Sequence, residues 1–177
     1  MDRLWSPWRS AHVARAAEDA RTEGGRGGPD VFARIAAAAP EDDADHLVVY
    51  RGATVFVVMN RYPYTTGHLL VLPYREVGDY EALTDAERAE MAAVTARALG
   101  WLRTALRPDG FNVGMNLGSA AGAGIPRHLH QHLVPRWHGD TNFMPALAAT
   151  RVMPESLEAT YRKLRAAVGA DAATGGG

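Results

Sequence analysis

The 177-residue chain contains no cysteine and only one lysine, Lys163. Without thiols, disulfides and thiolate zinc sites are excluded. The other basic residues are all arginine, a bias that carries no functional argument. A charge excess of either sign is also missing: 19 basic residues face 20 acidic ones, for a formal net charge of −1. Nonspecific binding to nucleic acid or an anionic membrane needs a basic excess, so neither is expected as a general partner, and any phosphate must be recognised locally. No apolar run approaches the roughly 20 residues needed to cross a bilayer. The N-terminus shows no basic, apolar, small-residue export pattern, so a soluble cytoplasmic protein is expected. The length suits one domain with a core that needs no disulfide or structural metal.

Gly and charge dominate Thr22 to Asp30 without apolar periodicity, which predicts an N-terminal arm and mobile loop over residues 1–30, a domain over 31–169 and a disordered tail over 170–177. Val55–Met59 and His68–Leu72 are short β-rich runs joined through Pro63 and Gly67, predicting an antiparallel pair. Thr84-Asp85-Ala86-Glu87 fits a capping box, and Met91, Val94, Ala98, Leu102 and Leu106 recur at helical spacing up to Pro108. A second strand pair is predicted next. Phe111, Val113, Met115 and Leu117 alternate with Asn112, Gly114, Asn116 and Gly118; the loop Ser119–Gly124 then leads to Arg127–Val134. Pro154 to Val168 reads as a closing helix with proline near its first turn. Hairpins interrupted by one long helix argue for an α+β fold with an antiparallel sheet.

His128, His130 and His132 alternate with Leu129, Gln131 and Leu133. In a strand, all three imidazoles would leave the same face. Three such neighbours cannot all be protonated without repulsion, and each needs hydrogen-bond partners, so packing is a poor explanation for them. Two chemistries fit. Alternating histidines can offer neutral nitrogens to a metal ion, although further ligands are then required and the nearest acidic candidate is Asp140. Alternatively, one imidazole nitrogen attacks phosphorus while the other donates to a carbonyl that fixes the tautomer. The glycine-rich loop before the histidines could bring backbone N–H groups to phosphate oxygens, with Asn112 and Asn116 as neutral donors on the adjacent strand.

The run His128-Leu129-His130-Gln131-His132-Leu133-Val134 resembles the signature of the histidine-triad family, with Gln131 where an apolar filler is usual. Asn60-Arg61-Tyr62-Pro63 with Gly67-His68 is similar to the family's ribose-binding turn and following strand. Pro135-Arg136-Trp137 and Gly139–Met144 resemble a bacterial branch that includes diadenosine tetraphosphate phosphorylases. The similarity runs from about Leu47 to Pro145, and more loosely over Leu4–Arg9, which carries Trp5 and Trp8.

The resemblance implies a histidine-triad fold: a five-stranded antiparallel sheet with one long and one C-terminal helix, in a homodimer that takes a nucleotide substrate. Position by position, it makes His130 the nucleophile, with His128 and His132 flanking the phosphates. Asn60 would bind the ribose, Asn116 a phosphate, and His68 would support the triad from behind. The implied reaction is attack of His130 on the α-phosphorus of a dinucleoside polyphosphate such as diadenosine tetraphosphate. A nucleotidyl-histidine results, which phosphate resolves to ADP or water to AMP. No protein-bound cofactor or metal is expected, beyond Mg²⁺ carried by the substrate. Rival readings are a nucleoside phosphoramidase, a nucleotide-binding protein with little turnover, and a metal-dependent hydrolase.

Two departures from the family pattern stand out. Asp30-Val31-Phe32-Ala33 occupies the place where many bacterial relatives have a Cys-x-x-Cys pair that helps to hold zinc. Gly124 stands where relatives often have Ser or Gln able to contact a phosphate or the leaving group, leaving that role to backbone N–H groups or Ser119.

Overall fold

Two apolar runs, Val48-Val49 and Val55–Met59, and a third at Leu69–Leu72 lie wholly inside the protein. Strands buried on both faces need cover from both sides, and the order of elements supplies it. The computed structural model describes residues 30–140 and 155–175. Its elements are α1 (Val31–Ala37), α2 (Asp43–His46), β1 (Val48–Arg51), β2 (Val55–Met59), β3 (Leu69–Pro73), α3 (Asp85–Leu106), β4 (Gly110–Met115), β5 (Gln131–Arg136) and α4 (Leu157–Ala173). The strands form one antiparallel sheet in the order β1-β2-β3-β5-β4. No helix among the described residues is long and apolar enough to cross a membrane.

The capping box at Thr84 forms in full. Thr84 Oγ1 accepts the Glu87 N–H, and Glu87 returns the bond to the Thr84 N–H at 2.7 Å. Arg75 pairs with the same carboxylate at 2.8 Å, tying the end of β3 to the start of α3. Met91, Val94, Ala98, Trp101 and Leu102 then bury one stripe of α3. Gly67, in the turn between β2 and β3, sits at φ +78°, and a Cβ there would come within 2.3 Å of Leu106 Cδ1. Only glycine lets that turn close against α3, and His68 is the next residue.

Three boundaries differ from the sequence expectation. Asp30, assigned to a mobile loop, is buried and accepts the Ala33 N–H at 2.8 Å as the N-cap of α1, so it belongs to the domain. The helix α4 continues through Ala170 to Ala173, where a disordered tail was expected. Asp171 explains the extension: its Oδ2 accepts both Arg97 Nε and Trp101 Nε1 from α3 at 3.0 Å. The strand expected over Arg127–Val134 instead begins at Gln131, because His128 N–H closes a turn onto the Ile125 carbonyl and Leu129 N–H donates to the Val77 carbonyl. Trp5, Trp8, Pro154 and the stretch 141–145 lie outside the described residues.

Candidate active site

Of the three histidines, only His132 lies within β5, opposite Leu70 of β3 and Gly114 of β4. His128 and His130 precede the strand, and the single-strand geometry expected for the triplet is therefore incomplete. The rings still cluster. His130 and His132 stand edge to face with centroids 5.0 Å apart, and Phe32 of α1 lies 5.3 Å from His130 and 5.7 Å from His128.

Hydrogen-bond partners assign each nitrogen a role, because a carbonyl can only accept and a backbone N–H can only donate. His130 Nδ1 is 2.8 Å from the His128 carbonyl and therefore carries its hydrogen, which leaves Nε2 of the neutral ring with a free lone pair. His68 Nδ1 accepts the Tyr64 N–H at 3.1 Å, so the proton of the neutral His68 ring sits on Nε2. From there it is donated to His132 Nδ1 at 2.9 Å. His132 must then carry its own hydrogen on Nε2, a buried atom with no partner among the described residues. The pair thus offers a nucleophilic nitrogen on His130 and a hydrogen-bond donor on His132. His128 differs from both, being fully buried with Nε2 donating to the Pro73 carbonyl at 2.9 Å.

Electrostatics favour neutral rings at His130, His132 and His68. Burial lowers the pKa of His130, with the charge of His128 acting in the same direction against the opposing effects of its carbonyl bond and Asp30. Burial, then the charge of His130, brings His132 down to about 4. Burial followed by the charges of His132 and His130 brings His68 to about 3. A neutral His130 is the nucleophilic form.

The other expected residues vary in their placement. Asn60 contacts His68 Nδ1 through Nδ2 at 3.3 Å and accepts the Tyr62 N–H through Oδ1 at 2.9 Å, so its amide braces the His68 turn. Asn116 lies one residue past β4; continuing the register of Met115 opposite Gln131 sets it across from His130. Asn112 is drawn away, its Oδ1 accepting Arg136 Nη1 at 2.8 Å, and Arg136 also grips Asp140. Asp140 is therefore in an ion pair at 2.6 Å with Arg136. Ser119 opens an exposed single turn of 3-10 helix, Ser119–Ala121, that ends at Gly122 with φ +90°. Gly124 is exposed, and a Cβ there would meet nothing within 4 Å.

Two neighbours were missed. Tyr64 stacks over His132 at 5.8 Å and 15° and over His68 at 4.6 Å. Asp30 brings Oδ1 within 3.3 Å of His128 Nδ1. Asp30 immediately ahead of Val31-Phe32 carried a helix N-cap signal, but the charged, glycine-rich stretch before it masked that signal.

A structural zinc does not fit the residues present. Ala33 offers no donor, Asp30 is engaged with His128 and the α1 cap, and no group of three potential ligands exists among the described residues.

A family model described as HIT domain matches residues 41–139. The chain is 42% identical over 164 residues to an AP-4-A phosphorylase of Mycobacterium tuberculosis, covering 93% of this chain and 83% of that protein. It is 30% identical over 140 residues to an uncharacterised HIT-like protein of the same organism, covering 79% of this chain and 93% of that one. Among solved structures, a zinc-bound histidine triad family protein from Mycobacterium smegmatis superposes with a TM-score of 0.64 at 30% identity, over 81% of this chain and 96% of that one.

Proposed function

The chain belongs to the HIT family, and from that premise we propose that it is a nucleotidyltransferase that cleaves diadenosine tetraphosphate with phosphate as acceptor, giving ADP and ATP. The observation that carries the mechanism is the His130 ring, whose Nδ1 is committed to the His128 carbonyl and whose Nε2 is left to attack. The likeness to a protein named AP-4-A phosphorylase supports the substrate.

In this reading His130 Nε2 attacks the α-phosphorus, the bond to the bridging oxygen breaks, and ATP leaves. The His132 Nε2–H donates to a phosphate oxygen as charge redistributes, aided by backbone N–H groups of the loop 118–124 and by Asn116. An oxygen of inorganic phosphate then attacks the adenylyl phosphorus. ADP forms, and His130 departs as a neutral imidazole with its lone pair restored. The protein works as a homodimer in the cytoplasm, with any Mg²⁺ arriving on the substrate.

Chromatography of products from diadenosine tetraphosphate and Mg²⁺, with and without phosphate, tests this beside His130→Ala. ADP plus ATP appearing only with phosphate is expected, with none from His130→Ala. AMP plus ATP without phosphate would make the protein a hydrolase. No products from the wild type would favour a phosphoramidate substrate or a binding role, and activity in His130→Ala would sink the covalent mechanism.

A further inference from the structure

His128 is the most deeply buried member of the triplet. Its side chain is fully buried, its Nε2 donates to the Pro73 carbonyl, and its own main-chain carbonyl receives Nδ1–H of His130. The orientation of the nucleophile therefore depends on where the main chain of residue 128 is held. What holds the far side of the His128 ring is Asp30. Its Oδ1 lies 3.3 Å from His128 Nδ1 and accepts the Ala33 N–H, and its Oδ2 lies 3.6 Å from Arg127 Nε. Arg127 Nε also pairs with Glu76 at 3.2 Å. The same helix start lays Phe32 against both His128 and His130.

We propose that Asp30 is a positioning residue for the reaction: its carboxylate fixes the His128 ring, and through the His128 carbonyl it sets the aim of His130. This deepens the nucleotidyl-transfer reading and rests on it for its kinetic test. Both nitrogens of His128 face oxygen acceptors, one a carbonyl and one a carboxylate. Nδ1 lies 3.3 Å from the carboxylate, so the charge of Asp30 acts on the ring at short range. A fully buried ring whose Nε2 is held by the Pro73 carbonyl is badly placed to shuttle protons, and that duty falls to His132. Burial by itself would raise the Asp30 pKa, but the close approach of His128 and the bond from the Ala33 N–H carry it below the ordinary range, so Asp30 is ionised at neutral pH.

Asp30→Asn separates this role from capping, because asparagine is an equally good N-cap but lacks the charge. With the full-length chain, diadenosine tetraphosphate and saturating phosphate, Asp30→Asn is expected to keep the wild-type thermal midpoint and substrate KM while kcat falls at least about tenfold. The fall should be smaller than the roughly 10⁴-fold effect of neutralising a carboxylate that orients a catalytic base directly. Asp30→Glu should recover part of the rate. Nitrogen NMR of ¹⁵N-histidine-labelled protein reads the same contact without substrate: the His128 Nδ1 resonance should move in Asp30→Asn while the Nε2 resonance, held by the Pro73 carbonyl, stays. Wild-type kcat in Asp30→Asn, or a His128 nitrogen spectrum unchanged by it, would overturn the proposal. Should the wild type prove inactive on this substrate, the proposed function fails and the nitrogen spectra alone decide for or against Asp30.

Discussion

His68 Nε2 stands 2.9 Å from His132 Nδ1, and the Tyr64 N–H on the other side of His68 fixes the direction in which that bond runs. A histidine just ahead of the apolar strand β3 thereby dictates which nitrogen of the neighbouring histidine presents a hydrogen to the site.

Replacing His68 with alanine should therefore release the tautomer of His132 while leaving His130 in place. The expected result is a kcat lowered about 10- to 100-fold, by analogy with the loss of groups that orient metal-binding histidines. The KM for the dinucleotide should change far less. Steady-state kinetics against wild type checks this, and an unchanged kcat would count against the relay.

Stability should depend on pH through the same rings. His68 and His132 titrate at about 3 and about 4 in the folded protein, against 6.5 when unperturbed. Between those values the unfolded chain binds more protons. The stabilisation from keeping these rings neutral is thus fully present above pH 6.5 and is lost as pH falls toward 4 and 3. At pH 5 each ring should cost about 2 kcal/mol. Urea midpoints measured at pH 7.5 and pH 5 should fall clearly; a flat profile would contradict the burial of neutral rings.

Gly124 leaves open space beside the glycine loop, since a Cβ there meets nothing within 4 Å. Gly124→Gln should fold normally and, by occupying room that phosphate needs and water does not, lower the ratio of ADP to AMP among the products. Product ratios across a phosphate titration measure this, and an unchanged ratio would show that the position does not select the acceptor.

The strand β4 forms one edge of the sheet, with Val113 47% exposed and Leu117 49% exposed just beyond it. An edge strand carrying exposed apolar residues is a surface that invites pairing. If a second copy covers it, Val113→Lys should convert a dimer into a monomer in size-exclusion chromatography with light scattering. A wild-type monomer would remove the dimer from the account.

The long helix was legible because its cap, its period and the proline after it agree, and the β2–β3 hairpin because its apolar runs flank Pro63 and Gly67. The histidine triplet was visible as a pattern, yet its geometry was not. Alternation predicted one strand face, whereas the turn onto Ile125 and the bond from Leu129 to Val77 hold His128 and His130 off the strand. Asn112 looked equivalent to Asn116, but Arg136 captures it from the neighbouring strand, a contact between residues 24 apart that no local pattern encodes. Asp30 was obscured for the same reason: its partner His128 is distant in sequence.

The central claim is that His130 forms a covalent nucleotidyl intermediate, and the configuration at the α-phosphorus tests it most directly. Diadenosine tetraphosphate carrying a chiral α-phosphorothioate would be turned over with inorganic phosphate, and the stereochemistry of the resulting adenosine 5′-(1-thiodiphosphate) determined. Two in-line displacements predict retention of configuration; inversion would mean that phosphate attacks in a single step, without His130 as nucleophile.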